Sequence, residues 1–353
     1  MPNKRIIFIL GAGSSKEVNL PVGIELRDQI ARLLNIRYEH SVTRISGDEK
    51  IVEAFQFKAR SEGDSRCDIN PYLHEGWKIV AGMPQAASID NYLDVHSDNK
   101  RLVYCGKLAI VRSILTAEQN SLLYFNGRTE PRQITFKNIE NTWFSQFWHK
   151  LTENCNADNL RSRFSRIAFI NFNYDRCLEH FLHCSLQNYY HLTYQDASEI
   201  LSTLQIFHPY GKVGYMPWEN AEPKVGFGSE VHPATLNNMA SEIKTFTEGT
   251  DPTTSDISTI RNFVADAQII AFLGFAFHRI NLKLIFPELE PDIGTRQIDL
   301  FGSAKGLSYS DLRAIVNELA VGFRMPEDRI SLDSNLECRK LFSEFGRSIS
   351  LVA

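Results

Sequence analysis

The sequence lacks three features that would each place it in a broad class of protein. Its longest apolar runs, at 6–10 and 269–277, are much shorter than the roughly 20 residues that a membrane-spanning helix needs. Its 38 basic and 42 acidic residues give no positive excess, which argues against direct nucleic-acid binding. The N-terminus has no long apolar segment followed by small residues, so no secretory signal is expected and we predict a cytoplasmic protein.

A C-x-x-C pair is also missing, since the cysteines stand at Cys67, Cys105, Cys155, Cys177, Cys184 and Cys338. Scattered thiols in a chain without an export signal are typical of a reduced protein rather than a disulfide framework. The run from Cys177 to Cys184 includes His180 and His183, and so has the residue types of a zinc site. One helix face offers at most two of these side chains, whereas zinc takes three or four protein ligands, so we predict no metal.

Apolar and aromatic residues, by contrast, are plentiful and fall into segments. Hydrophobic residues make up 43% of the 353 positions, with 23 Phe, 12 Tyr and 4 Trp, which excludes a mainly disordered chain. Short β-rich runs predict strands, and apolar residues at helical spacing predict helices. The predicted strands cover 6–10, 166–171, 205–208, 265–273 and 297–301. The predicted helices cover 23–34, 104–123, 175–186 and the segment that follows Ser308.

Buried strands that alternate with helices are typical of a doubly wound parallel sheet. We therefore predict an α/β protein with a Rossmann-like sheet built from residues 1–36 and 161–353. Between 37 and 160 the strand signal fades and helical spacing dominates, which predicts a mostly helical insertion. Residues 214–257 are rich in Pro, Gly, Asn, Ser and Thr and are predicted to form a long surface connection.

The first predicted strand runs into the sequence G-A-G-S-S at 11–15, and a predicted helix follows. Glycines let a phosphate approach the backbone, and a helix N-terminus offers free N–H groups. The dinucleotide fingerprint needs a third glycine where Lys16 stands, and the Lys-Ser/Thr pair of a P-loop is missing. A nucleotide site and a tight strand-to-helix turn both remain open at this point.

Asn171, Asn173 and Asp175 stand at the carboxyl end of the strand predicted at 166–171. Ligands of open α/β sheets bind at such ends, where two amides and a carboxylate offer hydrogen bonds. Taken alone, the motif is explained better by Asp175 capping the next helix and Asn171 fixing the loop.

A histidine and a glycine follow the next two predicted strands. His208 is a candidate acid, base or polar anchor because its ordinary pKa lies near neutrality, although a lone histidine is more often structural. Gly274 permits a close approach of a ligand. Phe275 and Phe277 can wall an aromatic ring or simply fill the core. Each motif alone leaves the function open.

The order of these motifs along the chain carries more information than any one of them. G-A-G-x-S after the first strand, N-x-D after a middle strand, His with Gly after the next and L-G after a late strand resemble the sirtuin fold. More narrowly, the set resembles the bacterial sirtuin-like NADases of antiphage defence. The resemblance runs from Ile6 to about Leu319 and includes the segments 88–93, 208–211, 274–278 and 301–308.

The resemblance implies a role for each matched position. Asn173 is implied to position the nicotinamide ribose and the attacking water, and His208 is implied to face the ribose. Asp175 is implied to bond the nicotinamide carboxamide. The implied cofactor-binding positions are Gly11, Ala12, Gly13, Ser15, Asp175, Tyr210, Gly274 and Phe275.

The sequence departs from the family pattern in two places. The family motif ends in His-Gly, but here Tyr210 precedes Gly211 and the histidine lies two places earlier. Either the turn brings His208 into the same space, or Tyr210 takes the role, or the site is weakened; we favour His208. The zinc module of protein-deacylating sirtuins, with its two C-x-x-C pairs, is missing, as is the Asp-Phe-Arg that follows their glycine motif. Both absences argue against a deacylase.

The expected activity is therefore hydrolysis of NAD to nicotinamide and ADP-ribose, without a metal. The alternative is a subunit that binds NAD or ADP-ribose without turnover, and protein deacylation ranks last. The resemblance implies an effector of bacterial antiphage defence that is restrained until triggered. Because no sensor domain is evident in the sequence, we expect control by self-assembly into a homo-oligomer or by a partner. The resemblance suggests a DNA-translocating ATPase as one candidate partner.

Overall fold

Six strands of the described chain form one sheet in which every pair of neighbours is parallel. The computed structural model describes residues 5–40, 43–127, 133–250, 256–289 and 294–351. Two further short strands pair with each other as an antiparallel hairpin. The strands are β1 Ile6–Leu10, β2 Arg37–Glu39, β3 Thr43–Ser46, β4 Ile167–Asn171, β5 Gln205–Phe207, β6 Ile269–Leu273, β7 Asp299–Ser303 and β8 Ile330–Asp333.

The strand order in the sheet is β5-β4-β1-β6-β7-β8. The chain moves outwards from β1 through β4 to β5, returns to the other side of β1 as β6, and continues outwards through β7 to β8. This is the strand order of the doubly wound dinucleotide-binding fold, in which the direction reverses between the first and fourth strands of the sheet. Here the reversal lies between β1 and β6. The predicted α/β class and parallel Rossmann-like sheet are confirmed.

The central strand β1 separates two cores because successive side chains of a strand point to opposite faces. Ile7 and Ile9 belong to the core on one face, whereas Ile6, Phe8 and Leu10 belong to the core on the other. All five are at most 1% exposed. A strand buried on both faces reads as an unbroken apolar run, which is why the sequence predicts this strand so well.

Helices cover both faces of the sheet. The helices are α1 Ala12–Lys16, α2 Gly23–Leu34, α3 Glu49–Ser61, α4 Asn70–Gly82, α5 Ile89–Val95, α6 Lys100–Gln119, α7 Trp143–Thr152, α8 Leu160–Phe164, α9 Cys177–Tyr190, α10 Tyr194–Leu201, α11 Pro233–Glu242, α12 Phe246–Thr250, α13 Ile257–Ala265, α14 Arg279–Ile285, α15 Tyr309–Phe323 and α16 Cys338–Phe345. Buried side chains of α2, α3, α4, α6 and α11 share the core of Ile7, and those of α7, α9, α10 and α16 share the core of Phe8. Short 3₁₀ turns lie at Met83–Gln85, Phe136–Ile139, Ala157–Asn159 and Glu327–Arg329.

Residues 37–160 are mostly helical, as predicted, but they also contain the β2–β3 hairpin. Their helices α3 to α6 pack on one face of the sheet and α7 packs on the other, so they contribute to both cores. The boundaries of an insertion at 37 and 160 stay a prediction.

Two parts of the fold differ from the sequence prediction. The edge strand β8 is not predicted, because its four residues are only half-buried and lack a strong apolar run. Residues 214–257 do not simply cross the surface, since Met216, Val225 and Met239 are at most 5% exposed. Helix α11 in this region packs against α3 and α6.

Among the helices of the described ranges, none combines the length and the apolar content that a membrane crossing requires.

Candidate functional site

The predicted site residues lie at one edge of the sheet. The strands β1, β4, β5 and β6 are adjacent and parallel, so their carboxyl ends share that edge. Open α/β sheets bind ligands at this edge, next to the place where the strand order reverses. We call the side chains that follow these four strands the candidate site.

The glycine turn after β1 packs directly on the turn after β6. The N–H of Gly11 donates to Leu273 O at 3.0 Å, and the N–H of Gly13 donates to Gly274 O at 3.0 Å. A Cβ atom on Gly11 would lie 2.6 Å from the carbonyl oxygen of Gly274, and one on Gly13 would lie 2.8 Å from its Cα. The glycines are therefore required for contact between two backbones, and these two N–H groups are already engaged by carbonyl oxygens of the protein.

Asn173 joins the β4 end of the site to this glycine turn. Its Nδ2 group lies 3.1 Å from Gly11 O, 3.1 Å from Ser15 Oγ and 3.3 Å from Ser14 Oγ. Its backbone N–H donates to Asn171 Oδ1 at 3.1 Å, which fixes the loop as the sequence predicts for Asn171. Within the described part of the chain, the Oδ1 atom of Asn173 accepts no hydrogen bond. The amide is thus anchored through its nitrogen, and its oxygen is the end left for other partners.

Asp175 extends the same network to helix α9. Its Oδ1 accepts from the N–H of Cys177 at 3.1 Å, at the first residue of the helix, and its carboxylate also accepts from the Ser15 hydroxyl. Because Asn173 Nδ2 lies 3.1 Å from the same Ser15 hydroxyl, one serine links the two side chains. Burial raises the pKa of Asp175 to about 6, despite the opposing effect of these hydrogen bonds.

The buried carboxyl of Asp175 makes stability depend on pH. Since its pKa is about 6 in the folded protein and 3.8 ordinarily, the stability contributed by the protonated form is complete below about pH 4. That contribution is lost as the pH rises through about 6. Asp175→Asn removes the titrating group and so avoids this loss. We expect the free energy of unfolding of the variant, relative to wild type, to rise by up to about 3 kcal/mol as the pH increases from about 4 to 8.

Denaturant unfolding across this pH range measures the effect. The same substitution at the exposed Asp98 is the control and should give no such trend. A stability difference for Asp175→Asn that stays constant with pH would contradict the prediction.

His208 contacts Asn173 and a glutamate that the sequence analysis does not single out. Its Nδ1 lies 3.0 Å from the backbone oxygen of Asn173, and its Nε2 lies 2.9 Å from Oε1 of Glu179. The hydroxyl of Tyr210, the other candidate for the histidine position, instead donates to Asn281 Oδ1 at 2.5 Å. Of the two candidates, His208 is the one bonded to Asn173.

Aromatic rings form one wall of the candidate site. The ring of Phe172 lies 5.6 Å from that of Tyr210 and 5.1 Å from that of Phe275. Behind this wall, the Tyr174 hydroxyl donates to the carboxylate of Asp90, the third residue of the 88–93 segment. The segments 88–93 and 274–278, noted for their resemblance, therefore reach the same region as the N-x-D motif.

Four side chains of the candidate site are largely buried, whereas Ala12, Gly13, His208 and Gly274 are partly exposed. Asn173 is 8% exposed, Asp175 3%, Tyr210 7% and Phe275 5%. A cavity of about 200 Å³ lies elsewhere, between α2 and α6, where Gln29 and Ser113 are among its lining residues.

The histidines of α9 are packed on aromatic rings. The His180 ring stacks on Phe227 at 4.1 Å and the His183 ring stacks on Trp218 at 3.8 Å. Burial lowers their pKa values to about 3 and about 4, so both rings are neutral at physiological pH. Among the residues that the structure describes, no three His, Cys, Asp or Glu side chains are grouped to hold a metal ion.

Glu179 and Lys212 were not predicted as site residues. Glu179 contacts His208, and Lys212 contacts Glu179. The helix that contains Glu179 was predicted from its apolar residues, such as Leu178 and Phe181. A charged residue within a stretch predicted to be buried could have indicated the site, because an ionised side chain is buried only when it has partners.

Comparison with known proteins adds no assignment. No family model matches the chain, and no curated protein or solved structure matches it either. The grounds for a function are therefore the motif order in the sequence and the geometry described above.

Proposed function

We propose that the protein hydrolyses NAD at the nicotinamide–ribose bond. The observation that carries the proposal is the set of contacts joining Asn173, Asp175 and His208 to the glycine turn at the reversal point of the sheet. Three segments distant in sequence supply these groups, and the reversal point is where doubly wound sheets bind dinucleotides.

The chemistry suits neutral and singly charged side chains. A water oxygen bonds to the anomeric carbon of the ribose, and the electron pair of the broken C–N bond leaves with nicotinamide. Nicotinamide departs as a neutral molecule, and the proton of the water passes to solvent. Positive charge develops on the sugar, as in glycoside cleavage, so the site must orient the base and the water rather than supply a strong acid.

Asn173 and Asp175 receive distinct roles in this proposal. The free Oδ1 of Asn173 accepts a hydrogen bond from the attacking water or from a ribose hydroxyl, while Nδ2 stays anchored on the glycine turn. Above about pH 6 the Asp175 carboxylate is ionised and accepts from the carboxamide N–H of nicotinamide. Phe275 and Tyr210 supply an aromatic wall for the base.

Nicotinamide release from NAD tests the proposal. We expect Asn173→Ala to lower kcat by at least about a hundredfold, the scale for removing one preorganised polar group. The control is Asn262→Ala, which makes the same change at an exposed helix position and should keep wild-type activity. Undiminished turnover in Asn173→Ala would reject this assignment of the site.

A second candidate is a subunit that binds NAD or ADP-ribose without turnover. The engagement of both ring nitrogens of His208 favours it, because neither is free to act on a substrate. Calorimetry that detects tight NAD binding, together with no nicotinamide release, would favour this candidate over hydrolysis. Protein deacylation remains the least favoured alternative, and formation of acetyl-ADP-ribose from an acetyl-lysine peptide would revive it.

The cellular role proposed with this activity is that of a defence effector. An enzyme that consumes NAD is toxic unless restrained, so this role requires a control on its activity. A homo-oligomer and a DNA-translocating ATPase stay the proposed partners. Cellular NAD levels, measured with and without phage infection, test the role directly.

A further inference from the structure

A cluster of four ionisable side chains contacts Asn173 through His208. We call it the His208 cluster, and its members are Glu179, His208, Lys212 and Glu219. Oε1 of Glu179 accepts from His208 Nε2 at 2.9 Å and from Lys212 Nζ at 3.0 Å. The same Lys212 ammonium donates to Glu219 Oε1 at 2.6 Å. The side chains of Glu179, His208 and Lys212 are only 4%, 6% and 10% exposed.

Both ring nitrogens of His208 face hydrogen-bond acceptors. The partner of Nδ1 is the backbone carbonyl of Asn173 at 3.0 Å, and the partner of Nε2 is a carboxylate oxygen. Neither partner carries a proton to donate when Glu179 is ionised. A neutral imidazole has one N–H and one lone pair, so it satisfies only one of the two contacts and sets a lone pair against an oxygen at the other. The doubly protonated ring satisfies both.

The charges of the His208 cluster favour the same state. With His208 protonated, the two glutamates balance the two cations, whereas a neutral ring leaves one negative charge in excess in a buried place. Burial opposes ionisation of Glu179, and its Oε2 has no hydrogen-bond partner within the described residues. Lys212 and His208 outweigh burial and hold the pKa of Glu179 below its ordinary value.

Other charged groups nearby are already paired. The Arg176–Glu118 ion pair, on and beside α9, has both side chains fully buried. Lys212 is also placed over the ring of Tyr215, at 5.3 Å from its centroid. Because Glu118 is paired with Arg176, Glu179 is the carboxylate that contacts His208 and can compensate a charge on its ring.

We infer that His208 is a doubly protonated positioning residue, which donates to the backbone oxygen of Asn173 and so fixes this loop. Glu179 is its counterion. His208 then acts on the substrate only through Asn173 and does not serve as a base. Lys212 donates to the same Glu179 oxygen and so helps to hold the carboxylate against the imidazolium. The kinetic consequence rests on the proposed NAD hydrolysis, but the protonation state does not.

Nitrogen NMR of protein labelled with ¹⁵N-histidine tests the protonation state without reference to activity. Comparison with His208→Asn identifies the signals of this ring among the 10 histidines. We expect both nitrogens of His208 to show the shifts of a protonated imidazolium at neutral pH. A ring with one protonated and one bare nitrogen would overturn the inference.

Glu179→Gln tests the counterion, with Glu219→Gln as the matched control. Both remove a carboxylate that contacts Lys212, but only Glu179 contacts His208. We expect Glu179→Gln to convert His208 to the neutral pattern and Glu219→Gln to leave the imidazolium signals in place. Unchanged His208 signals in Glu179→Gln would exclude the counterion role. If this variant fails to fold, the wild-type ring signals still decide the protonation state. Glu179→Asp, which keeps the carboxylate, should then keep the imidazolium signals, and a neutral ring in that variant would count against the inference.

Kinetics separate a positioning role from a merely structural one. In Glu179→Gln we expect kcat to fall about tenfold or more while KM changes little, the scale on which supporting groups affect a site. A fall in stability with unchanged kcat would contradict positioning. If wild-type protein releases no nicotinamide, the proposed function fails, whereas the NMR result stands or fails by itself.

Discussion

Arg176→Met is expected to lower the free energy of unfolding by about 3–5 kcal/mol, because it leaves a buried carboxylate without its counterion. Both side chains of the Arg176–Glu118 pair are 0% exposed. Nε donates to Oε1 at 3.1 Å and Nη2 to Oε2 at 2.5 Å. The guanidinium also donates to the carbonyl oxygens of Val225 and Gly226. After the substitution, Glu118 keeps only backbone donors, from residue 176 and Gly228, among the described residues.

Equilibrium denaturant unfolding measures this loss. Arg161→Met is the matched control, since Arg161 pairs with Glu199 at 3.8 Å with both side chains more than half exposed. That change should cost at most about 1 kcal/mol. We expect Arg176→Met combined with Glu118→Met to cost less than the sum of the single changes, because the stranded charge disappears with its carboxylate. Similar losses for Arg176→Met and Arg161→Met would show that the buried pair is unimportant.

Gly274→Ala is expected to cost about 2–5 kcal/mol and to disturb the candidate site. The φ angle of Gly274 is +59°, a conformation that costs an alanine about 1–2 kcal/mol. An added Cβ would also lie 2.1 Å from the backbone nitrogen of Ser14 and 2.3 Å from the carbonyl carbon of Gly13. Backbone atoms cannot rotate away, so the glycine turn must move, at a further cost of about 1–3 kcal/mol.

Gly306→Ala separates these two contributions. Gly306 has a φ of +85°, but a Cβ atom there meets nothing within 4 Å. This control should therefore lose only the conformational part, about 1–2 kcal/mol. Thermal and denaturant unfolding of both variants provide the comparison. Equal losses at the two positions would mean that the close backbone contact contributes little.

The sheet was predictable because its inner strands are buried on both faces. Ile6–Leu10 and Ile269–Leu273 are unbroken apolar runs, because a strand buried on both faces has no positions for polar side chains. Helix α2 was predicted with its observed bounds from the spacing of its apolar residues. Strand β8 has no comparable signal, since its side chains are half-buried at the sheet edge.

The sequence indicated which segments meet but not how their side chains bond. Motif order, with the rule that ligands bind at carboxyl ends of parallel strands, was enough to bring Asn173 and His208 together. The partner of His208 was not predictable, because Glu179 lies 29 positions away on a helix face whose rotation depends on packing. The sequence left both a phosphate site and a tight turn open for the glycines of the turn, and the contact in the structure that requires them is with Gly274.

The pairing of β1 has a consequence for synthesis of the chain. Ile6 pairs with Ile167 on one side and with Ile269 on the other, so the second partner follows about 260 residues later. At roughly 5–20 residues per second, the ribosome releases the apolar β1 segment about 13 to 50 seconds before it can be enclosed. During that interval one edge of the apolar β1 segment has no strand to pair with, so the nascent chain is prone to aggregate. Slower initiation of translation, cooler growth or added chaperones should therefore raise the yield of folded protein.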